Sequence, residues 1–219
     1  MERFGLTSRA LARLLYPETM TFLLCLAVAL GLVSVVVRTR ATYSYDLAAT
    51  LKCQRYEHAL VTRFARWATF LGNATTVIAL AVLLFVAGLL TNHAPAGMTI
   101  ALSLLALPLN AILKNIFDRE RPGEKEAKVH GGPRWGFSYP SGHSMASAAF
   151  YWTLAALVFL LVTVPFLAPI LTILISLIPL ATGVSRVYLG AHWLSDVVAG
   201  WCGGAIVALA ASAMYGPLT

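Results

Sequence analysis

Long apolar runs separated by short polar connections fill most of this chain. A helix needs about 20 apolar residues to cross the roughly 30 Å hydrocarbon core of a bilayer. By that measure the pattern predicts six membrane spans, at about residues 19–37, 74–90, 98–116, 141–163, 165–183 and 192–215. The chain is therefore expected to fold as an all-α, six-transmembrane-helix bundle.

The fourth and fifth predicted spans come from one uncharged run, from Met145 to Ala181. A single helix of that length would be about 55 Å long, almost twice the thickness of the hydrocarbon core. The run must therefore fold back on itself, and Pro165 and Pro169 mark the expected turn. The third span contains Pro108, which is a candidate position for a kink.

The segment 41–66, between the first and second spans, is more polar. Apolar residues recur in it at roughly helical spacing among charged ones: Leu47, Leu51, Leu60, Val61 and Phe64. This pattern predicts an amphipathic helix lying at the membrane interface, and the alternative is a solvated loop. We expect residues 1–219 to form a single integral membrane domain, with its core at about residues 60–215.

Composition supports the membrane assignment. Hydrophobic residues make up 59% of the 219-residue chain and charged residues only 11%, which is typical of a membrane protein. Arg3, Arg9 and Arg13 precede the first apolar run, as basic residues do in a signal peptide. The run is long enough to span the membrane and lacks a clear cleavage site, so a retained helix is favoured.

The net charge of +7 raises the question of nucleic-acid binding. The basic residues lie in connections between apolar spans and form no exposed stripe, so anionic lipid or phosphate is the expected partner and nucleic acid is not. The three cysteines have no C-x-x-C spacing and no three-ligand metal cluster is readable, so no metal or other cofactor is expected. Oligomeric state is left open by the sequence.

Alternation of the six spans brings four polar ends to one membrane face: the end of the third, the start of the fourth, the end of the fifth and the start of the sixth. Six ionisable residues lie at those ends: Lys114, Arg121, His143, Arg186, His192 and Asp196. The opposite connections, at 91–97 and near Pro165, carry no lysine, arginine, aspartate or glutamate. Ionisable residues at membrane depth are costly, so this segregation predicts a functional site.

These residue types suit phosphoryl transfer. Cations neutralise the non-bridging oxygens, one group attacks phosphorus and another protonates the leaving oxygen. Lys114 and Arg121 are about two helical turns apart and would face the same way if the third helix extended to Arg121, where Pro122 would end it. Ser141 and Gly142 would offer backbone N–H groups to an anion at a helix start.

His192 and Asp196 are four residues apart, and the pattern places them on one face of the sixth helix. At that spacing a carboxylate can accept a hydrogen bond from an imidazole N–H. The hydrogen bond fixes the tautomer and raises basicity, which makes the other ring nitrogen a nucleophile.

The same residues form three blocks, K-x6-R-P, P-S-G-H and S-R-x5-H-x3-D, that resemble the type 2 phosphatidic acid phosphatase (PAP2) superfamily. The blocks run from Lys114 to Arg121-Pro122, from Pro140 to His143, and from Ser185-Arg186 through His192 to Asp196. The resemblance implies a metal-independent phosphatase in which His192 attacks phosphorus to form a phosphohistidine, Asp196 orients it and His143 protonates the leaving group. It also implies a phosphate-binding set: Lys114, Arg121, Ser141, Gly142 and Arg186, to which Ser185 could be added.

The implied substrate is a lipid phosphate or pyrophosphate, such as undecaprenyl pyrophosphate, phosphatidylglycerophosphate or phosphatidic acid. The superfamily also contains soluble vanadium haloperoxidases, but six apolar spans disfavour that branch. Two other functions stay open. A phosphohistidine can pass its phosphate to a lipid acceptor, which would make the protein a lipid phosphotransferase, and a catalytically silent scaffold or transporter could reuse the fold.

Two observations disagree about the direction of insertion. Thirteen of the 16 lysines and arginines lie on the face that carries the site, and the other three precede the first span. The positive-inside rule would put that face in the cytoplasm. The resemblance to bacterial members implies the periplasmic or outer face of the inner or cell membrane, and three of the thirteen residues are accounted for by phosphate binding, so we expect the site to face outward.

Overall fold

The computed structural model describes residues 16–130 and 136–215, and within those ranges it contains helices and no β-strand. The described α-helices are α1 (Pro17–Arg38), α2 (Tyr43–Gln54), α3 (Ala59–Leu71), α4 (Ala74–Leu90), α5 (Ala94–Leu102), α6 (Ala106–Phe117), α7 (Gly142–Leu161), α8 (Leu167–Tyr188) and α9 (Leu194–Met214). The arginines before the first span lie outside the described residues.

Five membrane spans are recognisable among the described helices by length and composition: α1, the continuous Ala94–Phe117 unit, α7, α8 and α9. The pair α3 and α4 counts as a sixth if its two helices, which meet at a bend of 50°, are taken as one span. The predicted all-helical, multi-pass membrane fold is thereby confirmed. The predicted turn near Pro165 lies between α7 and α8.

The span from Ala94 to Phe117 changes its winding in the middle. A 3-10 helix, Ser103–Leu105, joins α5 to α6. Pro108 lies three residues after this turn and has no N–H to donate to the carbonyl four residues earlier, that of Leu104. The helical hydrogen-bond ladder is therefore broken where the tighter turn occurs, which is the irregularity expected at Pro108.

The polar segment after α1 forms two helices, α2 and the start of the bent pair, where the sequence pattern predicted one interfacial helix. In α2 the buried residues are Asp46, Thr50 and Gln54, whereas Tyr45 and Leu51 are exposed. The polar side of α2 therefore faces the protein and its apolar residues face outward, which suits a helix at the membrane interface.

The third span ends at Phe117, close to its predicted end at residue 116, and does not extend to Arg121 because Asp118 takes a left-handed conformation with φ of 35°. One predicted boundary near the site is wrong. The fifth span runs beyond residue 183 to Tyr188, so that Arg186 lies on a helix and not in a connection. Gly190 ends this helix with φ of 66°, the left-handed conformation that glycine adopts at helix ends.

The sixth span begins at Leu194, so His192 precedes the helix, and the prediction that His192 and Asp196 share a helix face is wrong. Asp196 occupies the third position of α9, and its carboxylate folds back to accept the backbone N–H of Trp193, the residue just before the helix, at 2.9 Å. This capping arrangement, and not helical spacing, turns the carboxylate towards His192.

Helices α7 and α9 approach each other closely through glycine. A Cβ atom at Gly200 would lie 2.7 Å from the backbone oxygen of Ser141, and one at Gly204 would lie 2.5 Å from Cβ of Ala148. Small residues permit such backbone contact between membrane helices. The backbone N–H of Ser141 also donates to the backbone oxygen of Asp196 at 2.9 Å, so the first turns of α7 and α9 are joined.

Candidate active site

The predicted site residues meet at one end of the helical bundle. Arg121 Nη1 lies 3.2 Å from His192 Nε2. Lys114 Nζ donates to the backbone oxygen of Phe137 at 2.5 Å, and Arg121 Nη2 reaches the same oxygen at 3.4 Å. Residues 114 and 121 therefore converge through the loop and not along one helix. His143, at the start of α7, lies within electrostatic range of Lys114, Arg121, Arg186 and His192.

One half of the site contains the predicted nucleophile, His192, and we call His192, Asp196 and Ser138 the nucleophile cluster. All three are buried, with exposed fractions of 2%, 0% and 0%. His192 Nδ1 lies 3.5 Å from Asp196 Oδ2, which is longer than an ordinary hydrogen bond. Ser138 Oγ lies between them, 3.3 Å from His192 Nδ1 and donating a short hydrogen bond to Asp196 Oδ2.

Hydrogen-bond chemistry fixes the tautomer of His192. An arginine side chain can only donate, so the contact with Arg121 Nη1 makes His192 Nε2 an acceptor. The proton of the neutral ring then lies on Nδ1, which faces Ser138 and Asp196. The lone pair of Nε2 points towards the cations.

The charge state of His192 follows from its surroundings. Burial lowers the pKa of His192 to about 4, and the hydrogen bond and charge of Asp196 offset only part of this effect. A base whose pKa is lowered stays unprotonated until the pH falls to that value. The imidazole is therefore neutral near pH 7, the form required of a nucleophile.

The other half is a cation cluster, which we define as Lys114, Arg121 and Arg186. Arg186 is only 2% exposed, and its Nη1 makes a long contact of 3.4 Å with Thr69 Oγ1. Its Nε and Nη2 atoms are buried and have no hydrogen-bond partner within the described part of the chain. Buried donors are nearly always satisfied, so unused N–H groups on a buried cation indicate a place for an anion.

The P-S-G-H turn contributes less directly than predicted. Ser141 is the N-cap of α7: its hydroxyl lies 2.9 Å from Ser144 Oγ and accepts the Ser144 N–H at 3.4 Å. Its backbone N–H is engaged by Asp196, as described above. Ser141 thus positions the helix start, while Gly142 packs against Asn110, whose Oδ1 would lie 3.0 Å from a Cβ atom at that position.

Sequence reasoning missed three residues that contact Asp196 or its partners: Ser138, Arg119 and Asp46. Ser138 stands two residues before Pro140 and carries no distinguishing pattern. Asp46 carries a signal in the sequence, because polar residues recur at every fourth position along α2, at Asp46, Thr50 and Gln54.

A cavity of about 760 Å³ adjoins the site. It is lined by Arg121 and Trp193 on the side of His192, and by Phe117, Arg38 and Arg40 near the end of α1. Three acids also line it: Asp118, Glu120 and Glu126. The residues that the structure describes contain no group of three His, Cys, Asp or Glu side chains able to hold a metal ion.

Comparison with known proteins places these features in context. The family model described as the PAP2 superfamily matches residues 77–219. Phosphatidylglycerophosphatase B of Bacillus subtilis (strain 168) is 40% identical over 96 residues, which are 42% of this chain and 44% of that protein. The match thus spans less than half of the length of that relative.

Two solved structures share the fold. The crystal structure of a transmembrane PAP2-type phosphatidylglycerolphosphate phosphatase from Bacillus subtilis has a TM-score of 0.74 and 25% identity, covering 84% of this chain and 91% of the other. The crystal structure of Aquifex aeolicus LpxE has a TM-score of 0.57 and 22% identity, covering 75% and 93%. The second likeness concerns the fold alone.

Proposed function

Because this chain belongs to the PAP2 superfamily, we propose that it is a membrane phosphatase that hydrolyses a phosphate monoester or pyrophosphate of a lipid without a metal ion. The observation that carries the proposal is a buried imidazole, His192, whose Nε2 faces the cation cluster, in which Arg186 is itself buried and has unused N–H groups. The first can attack phosphorus, and the second can hold its oxygens.

The cation cluster accounts for substrate binding. Burying a guanidinium without full hydrogen bonding is costly, and phosphate oxygens would satisfy the free Nε and Nη2 of Arg186. Lys114 and Arg121 add two more positive charges, and Gly142 lies at a helix start where backbone N–H groups face an anion. We assign Ser141 to the same set through its role in placing that helix start.

In the first half of the proposed reaction, the unprotonated Nε2 of His192 is the attacking atom. The substrate phosphate draws Arg121 away from His192 Nε2, and the freed lone pair attacks phosphorus. The bond from phosphorus to the leaving oxygen breaks, and His143 gives that oxygen a proton. Asp196 and Ser138 stabilise the positive charge that develops on the imidazole, since Nδ1 keeps its proton throughout.

The second half returns the enzyme to its starting state. Water attacks the phosphohistidine, and His143, now unprotonated, takes a proton from that water. The bond from phosphorus to Nε2 breaks, inorganic phosphate leaves, and His192 is again neutral. All groups needed for both halves belong to the chain, so the proposal requires no metal.

Among the three lipids considered, phosphatidylglycerophosphate is the substrate that we favour. This lipid carries a second, phosphodiester charge a glycerol unit away from the phosphate that is removed, whereas phosphatidic acid has one phosphate. Arg38 and Arg40 are exposed and line the cavity that Arg121 shares, where they could contact this second charge, and the acids Asp118, Glu120 and Glu126 line the same cavity. The names of the two Bacillus subtilis relatives support the same choice.

Phosphate release by the purified protein in detergent, with a chelator present, tests the proposal. The panel contains phosphatidylglycerophosphate, undecaprenyl pyrophosphate and phosphatidic acid. We expect the first to give the highest kcat/KM, and we expect His192→Ala to abolish release. Wild-type turnover equal to that of His192→Ala would exclude the mechanism.

Products of the same assay separate the remaining alternatives. With a phosphorus-32-labelled lipid, an alkaline quench should preserve the labelled phosphohistidine in wild-type protein and show none in His192→Ala. Label appearing on a second lipid in place of inorganic phosphate would identify a phosphotransferase. No turnover of any lipid would favour a scaffold or transporter.

We further propose that the site faces the periplasm or cell exterior of a bacterial inner or cell membrane. Lys125→Cys would mark the site face and Thr163→Cys the opposite face, since both positions are exposed. Cys25, Cys53 and Cys202 would be replaced first. A membrane-impermeant thiol reagent should label only the Lys125→Cys protein in intact cells, and the reverse result would place the site in the cytoplasm.

A further inference from the structure

Arg119 joins two buried carboxylates beside the nucleophile cluster. Its Nη1 donates to Asp196 Oδ1 at 2.6 Å, and its Nη2 donates to Asp46 Oδ2 at 2.7 Å. Asp46 and Asp196 are 2% and 0% exposed. The K-x6-R-P pattern does not include Arg119, and α2, which carries Asp46, lies outside all three sequence blocks.

Neighbouring residues make further contacts with the bridge that Arg119 forms between Asp46 and Asp196. Ser195 donates its backbone N–H to Asp46 Oδ1 at 2.9 Å and its hydroxyl to Asp46 Oδ2 at 2.7 Å. Arg119 Nη1 also donates to Ser195 Oγ at 2.7 Å. The guanidinium lies 5.7 Å from the ring centre of Trp193, the residue after His192. Arg119 is therefore fixed in position and orientation by charge, hydrogen bonds and an aromatic face.

Helix α2 is anchored so that Asp46 stays in place. Gln54, two turns after Asp46, donates to the backbone oxygens of Lys128 and Tyr188 at 2.7 and 2.9 Å and accepts the N–H of Lys128 at 3.0 Å. These polar contacts, and not apolar packing, hold the buried side of α2 against the bundle.

Arg119 gives the two oxygens of the Asp196 carboxylate different partners. Arg119 occupies Oδ1, so Oδ2 is the oxygen that turns towards His192 Nδ1, Ser138 and the N–H of Trp193. A carboxylate free to rotate would lose this division, and the imidazole would lose the partner that fixes its tautomer.

We propose that Arg119, held by Asp46, is a positioning residue for the nucleophile: it acts through Asp196 to keep His192 Nε2 aimed at phosphorus. The inference rests on the proposed function. It makes α2, the helix at the membrane interface, part of the catalytic apparatus although no atom of α2 is assigned a contact with the substrate.

Arg119→Lys and Asp46→Asn test the proposal, because each keeps the side chain polar and similar in size. Lysine is a point charge that cannot bridge two carboxylates, so kcat should fall by up to about 10²-fold. Asp46→Asn keeps one acceptor oxygen but not the charge, and should cost about tenfold. The Asp46→Asn and Arg119→Lys effects should be less than additive when combined.

Two readouts separate positioning from a structural role or from direct phosphate binding. Inorganic phosphate should inhibit these variants with the wild-type constant, since the cation cluster is untouched, and thermal unfolding should show a folded protein. Glu57→Gln is the matched control, because it breaks an exposed ion pair with Lys128 and should leave kcat unchanged. Wild-type kcat in folded Arg119→Lys, or a phosphate constant that rises with the fall in kcat, would overturn the inference.

A measurement without substrate keeps this inference separate from the proposed function. In histidine-labelled protein, the Nδ1 proton resonance of His192 should shift or broaden in Arg119→Lys and stay at its wild-type position in Glu57→Gln. An unchanged resonance in Arg119→Lys would contradict the positioning role even if no lipid were hydrolysed. If wild type turned over lipid and His192→Ala did not, while Arg119→Lys kept the wild-type kcat and resonance, the positioning role would be wrong and the proposed function would stand.

Discussion

The nucleophile cluster and the cation cluster face each other but differ in how completely their polar atoms are satisfied. Both oxygens of Asp196 accept hydrogen bonds, and both nitrogens of His192 have a neighbour within 3.3 Å. Arg186, equally buried, leaves two of its nitrogens without a partner. The complete hydrogen bonding of the nucleophile cluster holds its side chains in one geometry. The incomplete hydrogen bonding of Arg186 keeps donors available for an incoming anion.

This contrast predicts opposite effects on stability. Groups in the nucleophile cluster stabilise the folded protein while they prepare the reaction. On the proposed function, Arg186 should stabilise the complex with phosphate and destabilise the free protein, because a buried and partly unsatisfied charge is unfavourable. Substitutions on the two sides should therefore separate activity from stability in different ways.

The largest effect is expected for Asp196→Asn. The amide cannot carry the charge that stabilises the imidazolium, and its NH2 group would oppose the Nδ1 proton, so kcat should fall by about 10³- to 10⁴-fold. The thermal midpoint should fall too, because Arg119 loses an ionic partner. Phosphate release and a thermal scan measure the two changes, and an unaltered midpoint would weaken the contrast.

Arg186→Met should be next, with kcat/KM reduced by about 10²- to 10³-fold through lost oxygen contacts. Its thermal midpoint should match or exceed that of wild type, because an apolar side chain of similar length replaces an unsatisfied charge. Inorganic phosphate should raise the midpoint of wild type and not that of the variant. A destabilised Arg186→Met protein would show that the guanidinium is satisfied without phosphate.

Ser138→Ala should have a smaller effect, about tenfold in kcat, because Asp196 keeps its bonds to Arg119 and Trp193. KM should change little, since Ser138 does not belong to the cation cluster. A change in KM without a change in kcat would indicate that Ser138 contributes to phosphate binding and not to the orientation of His192.

The smallest predicted difference concerns the titration of His192. An unshifted imidazole, with a pKa of about 6.5, is mostly protonated at pH 5.5. His192, whose pKa burial lowers to about 4, should remain neutral there. Nitrogen-15 histidine spectra from pH 7.5 to 5, assigned with a His192→Asn protein, would record this, and protonation near pH 6.5 would mean that water reaches the ring.

The sequence allowed the spans and the convergence of the ionisable residues to be predicted, because membrane thickness and alternation constrain both. The predictions of local backbone geometry from the sequence were wrong at two places. Lys114 and Arg121 converge through the Phe137 carbonyl after a left-handed residue breaks the helix, and His192 reaches Asp196 through a helix cap. Such arrangements depend on backbone turns that residue spacing does not encode.

The roles of residues outside the three blocks were harder still to predict from the sequence. Arg119 looks like one more basic residue in a charged loop, and Asp46 like one acid in an amphipathic segment. Their roles arise from the docking of α2 against the start of α9, a tertiary contact with no local pattern. Ser138 is similar, since only the folded loop places its hydroxyl between a ring and a carboxylate.

Gly190 ends helix α8 in a left-handed turn, and that turn lies between Arg186 and His192 in the chain. A side chain at this position would be strained and would collide with the backbone oxygen of Lys128. We therefore expect the backbone conformation at Gly190 to influence the distance between Arg186, the proposed phosphate-binding cation, and His192, the proposed nucleophile. Variation at Gly190 would change the gap that the reacting bond must cross while leaving every reacting group chemically intact.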